Sequence, residues 1–288
     1  MMKRLFSMQS FAFHGWLGIT LIIIFWYLNW SIDGLRTHWG FFPLWIGYCL
    51  TIDAIVLKKR GTSLLSHSPQ KYIGLFLISA PSWWLFELFN SHLHNWQYIG
   101  KENFTNVEYA LLASLSFSTV IPAIFGSAEL VSTFSWAKKI KLPLNLKPSS
   151  KTLLIFFSMG IFLLIAILKW PDIFYPFVWI TVFFLIEPFN FKAGFSSLLS
   201  FTANKNWQPV ISLAIGSLIC GFFWEMWNIY SYPKWIYHLP HVNAPKLFEM
   251  PIPGYIGYIP FSFEIFALTS LVYGLFKMKL TDYLNIGN

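Results

Sequence analysis

Residues 209–228, PVISLAIGSLICGFFWEMWN, are apolar for the length of a membrane crossing and carry one acid, Glu225, near their end. Residues 72–90, YIGLFLISAPSWWLFELFN, repeat the pattern with Glu87. About 20 predominantly apolar residues are what a spanning helix requires. An asparagine follows each acid by three positions, Asn90 and Asn228, which places acid and amide on one helical face. A Trp-x-Tyr element comes next, Trp96 with Tyr98 and then Trp235 with Tyr237. Trp84 precedes the first acid, and Trp224 and Trp227 flank the second. An ionisable residue at membrane depth is costly and marks a candidate functional site. Two in matching places predict a duplicated half-protein with a site between its halves.

The rest of the 288 residues supports that reading. The chain is 56% hydrophobic and 11% charged, with a mean hydropathy of +0.56. Eight spans are expected, near 12–30, 41–57, 72–90, 108–135, 152–169, 174–190, 208–230 and 259–276. The fold class expected is therefore all-α, a polytopic transmembrane bundle built as two parallel four-helix repeats. The repeats cover 1–137 and 152–288, joined by a cytoplasmic linker over 138–151. Pro43, Trp45, Asp53 and Gly61 in the first repeat match Pro176, Trp179, Glu187 and Gly194 in the second. Ile121-Pro122 leads to Glu129 as Ile259-Pro260 leads to Glu264. An even number of spans per repeat gives both halves one orientation, about an axis along the membrane normal.

Fifteen of the twenty Lys and Arg fall in segments assigned to the cytoplasmic side. The net charge of +8 thus reads as positive-inside topology, with both termini cytoplasmic in a membrane of bacterial inner-membrane type. No basic stripe alternates with stacking aromatics in a soluble region, so no nucleic-acid partner is expected. Met1-Met2-Lys3-Arg4 ahead of an apolar stretch, without a small-residue cleavage site, reads as an uncleaved signal anchor. Cys49 and Cys220 both lie in apolar segments and imply neither a disulfide framework nor a zinc ribbon. Residues 239–260, rich in Pro and Gly but also apolar, are expected to fold back over the bundle as a lid or re-entrant loop, since irregular backbone at that depth needs protein or a water-filled cavity around it.

The candidate catalytic residues are Glu87, Glu225, Glu264 and Glu129, with Asn90 and Asn228 beside the first two. The candidate substrate-binding residues are Trp84, Trp96, Tyr98, Trp224, Trp227, Trp235, Tyr237 and Tyr255. Among aromatics a carboxyl is pushed toward its neutral form and then serves as a proton donor. The competing role for Glu87 and Glu225 is a hydrogen bond gluing helices, with Asn90 or Asn228 as partner. Asp53 and Glu187 read as structural, Asp53 in an ion pair near Lys58. His92, His94, His238 and His241 follow the two signatures, but their spacing matches no tight metal motif. No metal or other cofactor is expected. The sequence contains no Asp-rich magnesium motif, Walker loop, Gly-x-Gly-x-x-Gly or Gly-x-Ser-x-Gly element.

The order of these features resembles the membrane-embedded lycopene cyclase domain: an acid in an aromatic helix, a Trp-x-aromatic element, then a Pro with acids before an apolar helix. Glu225, Trp235-Ile236-Tyr237, Pro260 and Glu264 carry the resemblance in the second half. Glu87, Trp96-Gln97-Tyr98, Pro122 and Glu129 carry it in the first. The plan is also similar to that of membrane-bound terpene cyclases of meroterpenoid pathways. The resemblance implies proton-initiated cyclisation, or hydration, of an apolar isoprenoid, with one catalytic acid in each half, Glu87 and Glu225. The family's Pro-x-Glu-Glu is here Pro260-Phe-Ser-Phe-Glu264, with one acid. Two other classes fit the same residues. Parallel repeats with paired midspan acids suit a proton-coupled transporter, and aromatic-rich bundles also occur in non-catalytic assembly or lipid-binding proteins. The partners expected are the membrane and an apolar isoprenoid or lipid; the sequence sets no oligomeric state.

Overall fold

The computed structural model describes residues 10–32, 35–140 and 148–287, without the side chains of 35–39. The first four residues of the expected signal anchor, and 141–147 of the expected linker, lie outside the described residues. The chain forms α1 (Phe13–Ser31), α2 (Leu35–Arg60), the short α3 (Leu64–His67) and α4 (Pro69–Leu93). After the strand β1 (Trp96–Ile99) come α5 (Asn106–Phe117), α6 (Val120–Ser132) and the short α7 (Ser135–Lys139). The order then recurs: α8 (Ser150–Lys169), a single turn α9 (Pro171–Phe174), α10 (Val178–Lys192), the short α11 (Leu198–Ala203) and α12 (Gln208–Asn228). β2 (Lys234–Tyr237) follows, then a small hairpin of β3 (Lys246–Leu247) and β4 (Met250–Pro251). A 3₁₀ turn, Ile252–Gly257, runs directly into α13 (Tyr258–Leu275).

Eight of the helical segments described are long and apolar enough to cross a membrane, and the protein is an all-α polytopic membrane bundle. The spans run 13–31, 40–60, 69–93, 106–132, 150–169, 171–192, 208–228 and 252–275, within a few residues of those expected except that the last begins earlier, at the 3₁₀ turn. Local signals explain their ends. Thr105 and Glu108 form a capping box at the start of α5, Pro69 opens α4, and Lys58, Lys59 and Arg60 close α2 where the helix dipole favours cations.

Small residues set the closest packing. A Cβ on Gly18 would fall 2.7 Å from the Gly47 carbonyl oxygen, and one on Gly47 would fall 2.8 Å from that of Gly18. α1 and α2 therefore touch backbone to backbone, as membrane helices do where side chains are small. Gly216 likewise lies against the Ala128 backbone, 2.6 Å from an added Cβ, which brings α12 onto α6. Around this centre the outer faces of α1 and α8 are apolar and exposed, Phe13, Ile23 and Tyr27 on one and Leu154, Phe162 and Ile165 on the other.

Two further acids hold the bundle at the end opposite the strands. Asp53 accepts from the Ser63 hydroxyl at 2.7 Å and the Leu65 amide at 2.9 Å. Glu187 accepts from the Ser197 hydroxyl at 2.7 Å and the Leu199 amide at 2.8 Å. Each carboxyl thereby anchors the start of the short helix that follows its own. The ion pair expected between Asp53 and Lys58 is replaced by a contact of 3.1 Å with His14 on α1.

Candidate functional site

The site begins where α4 and α12 end. Asn90 Nδ2 donates to the Trp96 carbonyl at 2.8 Å, and the Trp96 amide donates back to Oδ1 at 3.1 Å. Asn228 makes the same pair with Trp235, at 2.7 and 2.9 Å. The asparagines thus spend their amides on the strand backbone and do not partner the glutamates beside them. Turned back in this way, β1 and β2 pair antiparallel with each other, Trp96 opposite Tyr237, Gln97 opposite Ile236 and Tyr98 opposite Trp235. Side chains alternate along a strand, so Trp96, Tyr98, Trp235 and Tyr237 share one face of the ribbon, and all four line one cavity.

That cavity measures about 130 Å³. Its other walls come from Trp83 on α4, Tyr109 and Phe117 on α5, Trp179 on α10, Trp224 on α12, and Tyr258 and Phe261 on α13. Met250, Gly254 and Gly257, from the Pro-rich stretch expected to fold back over the bundle, complete it. The rings brace one another: Trp96 stacks on Trp179 at 5.7 Å, and Trp224 on Tyr258 at 5.9 Å. The result is a chamber of mainly aromatic faces, with five tyrosines, Ser116 and Ser231 in its lining.

Glu87 and Glu225 lie behind this wall. Oε1 of Glu87 accepts from Tyr98 Oη at 2.6 Å, Trp83 Nε1 at 3.0 Å and Trp96 Nε1 at 3.1 Å. Oε1 of Glu225 accepts from Tyr237 Oη at 2.6 Å and Tyr258 Oη at 2.7 Å. Trp235 Nε1 donates to the Tyr237 oxygen at 2.9 Å, extending that network by one member. Glu225 is fully buried and Glu87 half-buried. Burial pushes the Tyr98 hydroxyl well above the ordinary tyrosine range, and the adjoining Glu87 carboxyl adds to the shift. Burial does the same to Tyr237, with Glu225 adding to it. Tyrosine hydroxyls thus stand between the carboxyls and the cavity.

The remaining candidates lie elsewhere. Trp84 donates to Ser114 Oγ at 2.9 Å and packs on Phe117 without lining the cavity. Trp227 is buried against Trp45 and Phe223. Tyr255 donates to the Leu247 carbonyl at 3.1 Å, within the loop that covers the cavity. Glu129 accepts from the Asn285 amide at 2.8 Å near the opposite end of the bundle. Glu264 accepts from the Val182 amide at 2.7 Å, fully buried against α10. These two acids occupy unlike surroundings, and neither lines the cavity. Of the histidines, His92 bonds the Leu168 carbonyl and His94 the carbonyl of His92. Among the described residues no group of three or more His, Cys, Asp or Glu side chains is placed to hold a metal ion.

Tyr258 is the donor least visible in the sequence, whereas Trp83 belongs with Trp84 to the tryptophans that the sequence places around Glu87. Trp83 is one of two adjacent tryptophans, and only its position four before Glu87 distinguishes it as the one facing the carboxyl. Tyr258 precedes Pro260 by two and comes from a different helix. Tyr109, Ala113, Ser116 and Phe117 line the cavity at helical spacing, a pattern that reads in sequence as ordinary packing.

Neither a protein-family model, nor a curated protein, nor a solved structure matches the chain.

Proposed function

We propose that this membrane protein is an isoprenoid-modifying enzyme that cyclises an apolar polyene, or a prenylated ring, by protonating a carbon–carbon double bond. The observation that carries the reading is the pair of carboxyls in the last two turns of membrane-spanning helices, each hydrogen-bonded at 2.6 Å to a tyrosine that lines one shared aromatic cavity. In the reaction, one tyrosine hydroxyl, which donates to its carboxyl at rest, turns to accept the carboxyl proton as it passes its own to an alkene carbon. The alkene π pair forms the new C–H bond and leaves a cation on the neighbouring carbon. A second double bond attacks that cation and closes the ring. The other tyrosine–carboxylate pair then takes a proton from a carbon beside the final cation, and an alkene is restored. Substrate and product are isomers; capture of the cation by water would instead give an alcohol. Aromatic faces are suited to the intermediate cation, at about 0.5–2 kcal/mol each, and a chamber of fixed rings needs little reorganisation to stabilise it.

The test is mass spectrometry of apolar extracts from cells making lycopene-type or geranylgeranyl-type isoprenoids, with the chain and with its Glu87→Gln/Glu225→Gln variant. A product of unchanged mass and altered retention, absent from the variant, is expected; a gain of water would identify the hydratase form. Identical extracts from both, with the protein inserted, would count against the proposal.

One observation favours a proton-coupled carrier as a second reading. The fourth span is broken at Ser118–Thr119, between α5 and α6, and the eighth changes from 3₁₀ turn to α-helix at Gly257–Tyr258. Both discontinuities lie beside the cavity, and paired helix breaks around a midplane site are a feature of transporters. Counterflow of a polar solute in proteoliposomes, lost in the same double variant, would favour the carrier over the enzyme.

A further inference from the structure

The two carboxyl sites follow one plan but differ in a reciprocal pair of side chains. At the position four before the acid, the first half has Trp83, whose indole N–H reaches Glu87 at 3.0 Å. The second half has Gly221 there. A Cβ on Gly221 would fall 2.5 Å from the Tyr258 ring, so the missing side chain is what admits Tyr258 to Glu225. At the first residue of the helix two before the matched proline the exchange is reversed. α13 opens with Tyr258, which donates to Glu225 at 2.7 Å, and α6 opens with Val120, which carries no donor. One large hydrogen-bonding side chain is present at each site, but from opposite positions and of different chemistry.

The chemical difference decides what each site does with a proton. An indole N–H only donates; a tyrosine hydroxyl both donates and accepts. Two of the three groups on Glu87 are indoles, which hold lone pairs of the carboxylate and pass no proton onward. The two groups that donate to Glu225 Oε1 at 2.6 and 2.7 Å are hydroxyls, and both line the cavity; the Trp235 indole also lies beside this carboxyl, turned to the Tyr237 oxygen. Solvation differs in the same direction. Glu225 is fully buried, its Oε2 meets no hydrogen-bond partner, and among the described residues no Lys, Arg or His lies within ion-pair distance of it. A carboxyl enclosed without a counter-charge is far less costly as the neutral acid. Glu87 is half-buried, and three donors converge on one of its oxygens, an arrangement that suits the charged form.

Resting on the reading of the site as a proton-initiated cyclase, we infer that Glu225 is the proton donor and Glu87 the proton acceptor. Tyr258 is a second relay from Glu225 to the cavity, beside Tyr237, once its hydroxyl turns from donating to Oε1 to accepting the carboxyl proton. Trp83 is the positioning residue that keeps Glu87 as the acceptor. The duplicated halves have in this way taken opposite parts of one proton cycle: Glu225 loses a proton at the first step, Glu87 gains one at the last, and exchange with solvent restores both.

Infrared spectroscopy of the full-length protein in lipid nanodiscs tests this without any substrate. Protonated carboxylic acids have a carbonyl stretch well separated from carboxylate bands, and difference spectra against single variants assign it. Glu225→Gln is expected to remove one carboxylic-acid band. Glu87→Gln is expected to remove a carboxylate band and leave the acid bands in place. Tyr258→Phe should shift the Glu225 acid band to higher frequency, because its carbonyl loses a donor, whereas Trp83→Phe should leave that band unmoved. Loss of an acid band in Glu87→Gln, or loss of only a carboxylate band in Glu225→Gln, overturns the inference. If Glu225→Gln does not insert, Tyr258→Phe decides: a shifted band supports the assignment and an unshifted one overturns it. The cell-extract comparison depends on neither assignment, so cyclisation without these bands would leave the enzyme standing and remove only the division of labour.

Discussion

At the scale of single residues, the acid–amide pairs were legible in the sequence and their partners were not. The three-residue spacing put Glu87 with Asn90, and Glu225 with Asn228, on common faces, but the asparagines bind backbone groups of Trp96 and Trp235. A backbone partner leaves no mark in residue identity, so spacing alone could not separate glue from clamp. Asn90→Ala strands a buried N–H and a buried C=O of Trp96, each costing about 1–3 kcal/mol. A destabilisation of about 2–6 kcal/mol is expected in denaturant unfolding of the detergent-solubilised protein; a change under about 0.5 kcal/mol would contradict the clamp. The tyrosines make a pH prediction. Tyr98 and Tyr237 are shifted upward in the folded protein. Each therefore contributes stability that is whole below the unfolded value of about 10 and is lost as pH rises from there toward the folded value. Unfolding midpoints should fall above about pH 10, and fall less steeply in Tyr98→Phe/Tyr237→Phe. Equal slopes in the two proteins would mean that these hydroxyls titrate as exposed ones do.

At the scale of elements, hydropathy located all eight spans, because length and apolar content are local properties of the chain. It did not reveal that the fourth is two helices. The break falls in a run of small hydroxyl residues, Ser114, Ser116, Ser118 and Thr119, just ahead of Pro122, which has no N–H to bond the Ser118 carbonyl. A residue from another helix makes the break stable: Ser79 Oγ donates to the Phe117 carbonyl at 2.6 Å and accepts from the Ile121 amide at 3.0 Å. Ser79→Ala leaves both groups without that partner at a buried position and is expected to cost about 1–3 kcal/mol, with faster hydrogen exchange at Ile121. Unchanged exchange there would show that the junction closes by itself. The strands were also unmarked. The alternation of Trp-x-Tyr suits a strand as well as a ligand-binding signature, but four residues are too few for periodicity to declare one.

At the scale of the whole molecule, the recurrence of acid, asparagine and Trp-x-Tyr was legible, and its geometric consequence required the fold. Gln97 and Ile236, the middle residues of the two Trp-x-Tyr elements, sit directly opposite each other in the ribbon. The strand pair therefore has its own local two-fold at the point where the halves meet. Glu129 and Glu264, matched because each follows an Ile-Pro pair, have different neighbours; Glu129 lies seven residues past its proline and Glu264 four, a difference of about one helical turn. Directly opposed Cα atoms lie about 4.5–5.5 Å apart, within disulfide range. Gln97→Cys/Ile236→Cys should oxidise to an intramolecular bond that holds the halves together after cleavage within 138–151 and releases them on reduction. Native Cys49 and Cys220 are buried and should not compete. Fragments that separate before reduction would contradict the register.

The most direct test of proton-initiated cyclisation between the two carboxyls is to supply membranes containing the protein with a geranylgeranyl-type polyene in D₂O and weigh the product. Initiation by protonation predicts a cyclic isomer carrying one solvent deuteron for each initiating protonation, formed by the native chain and absent with Glu225→Gln. A cyclic product free of deuterium, or the same product from the Glu87→Gln/Glu225→Gln variant, would contradict it.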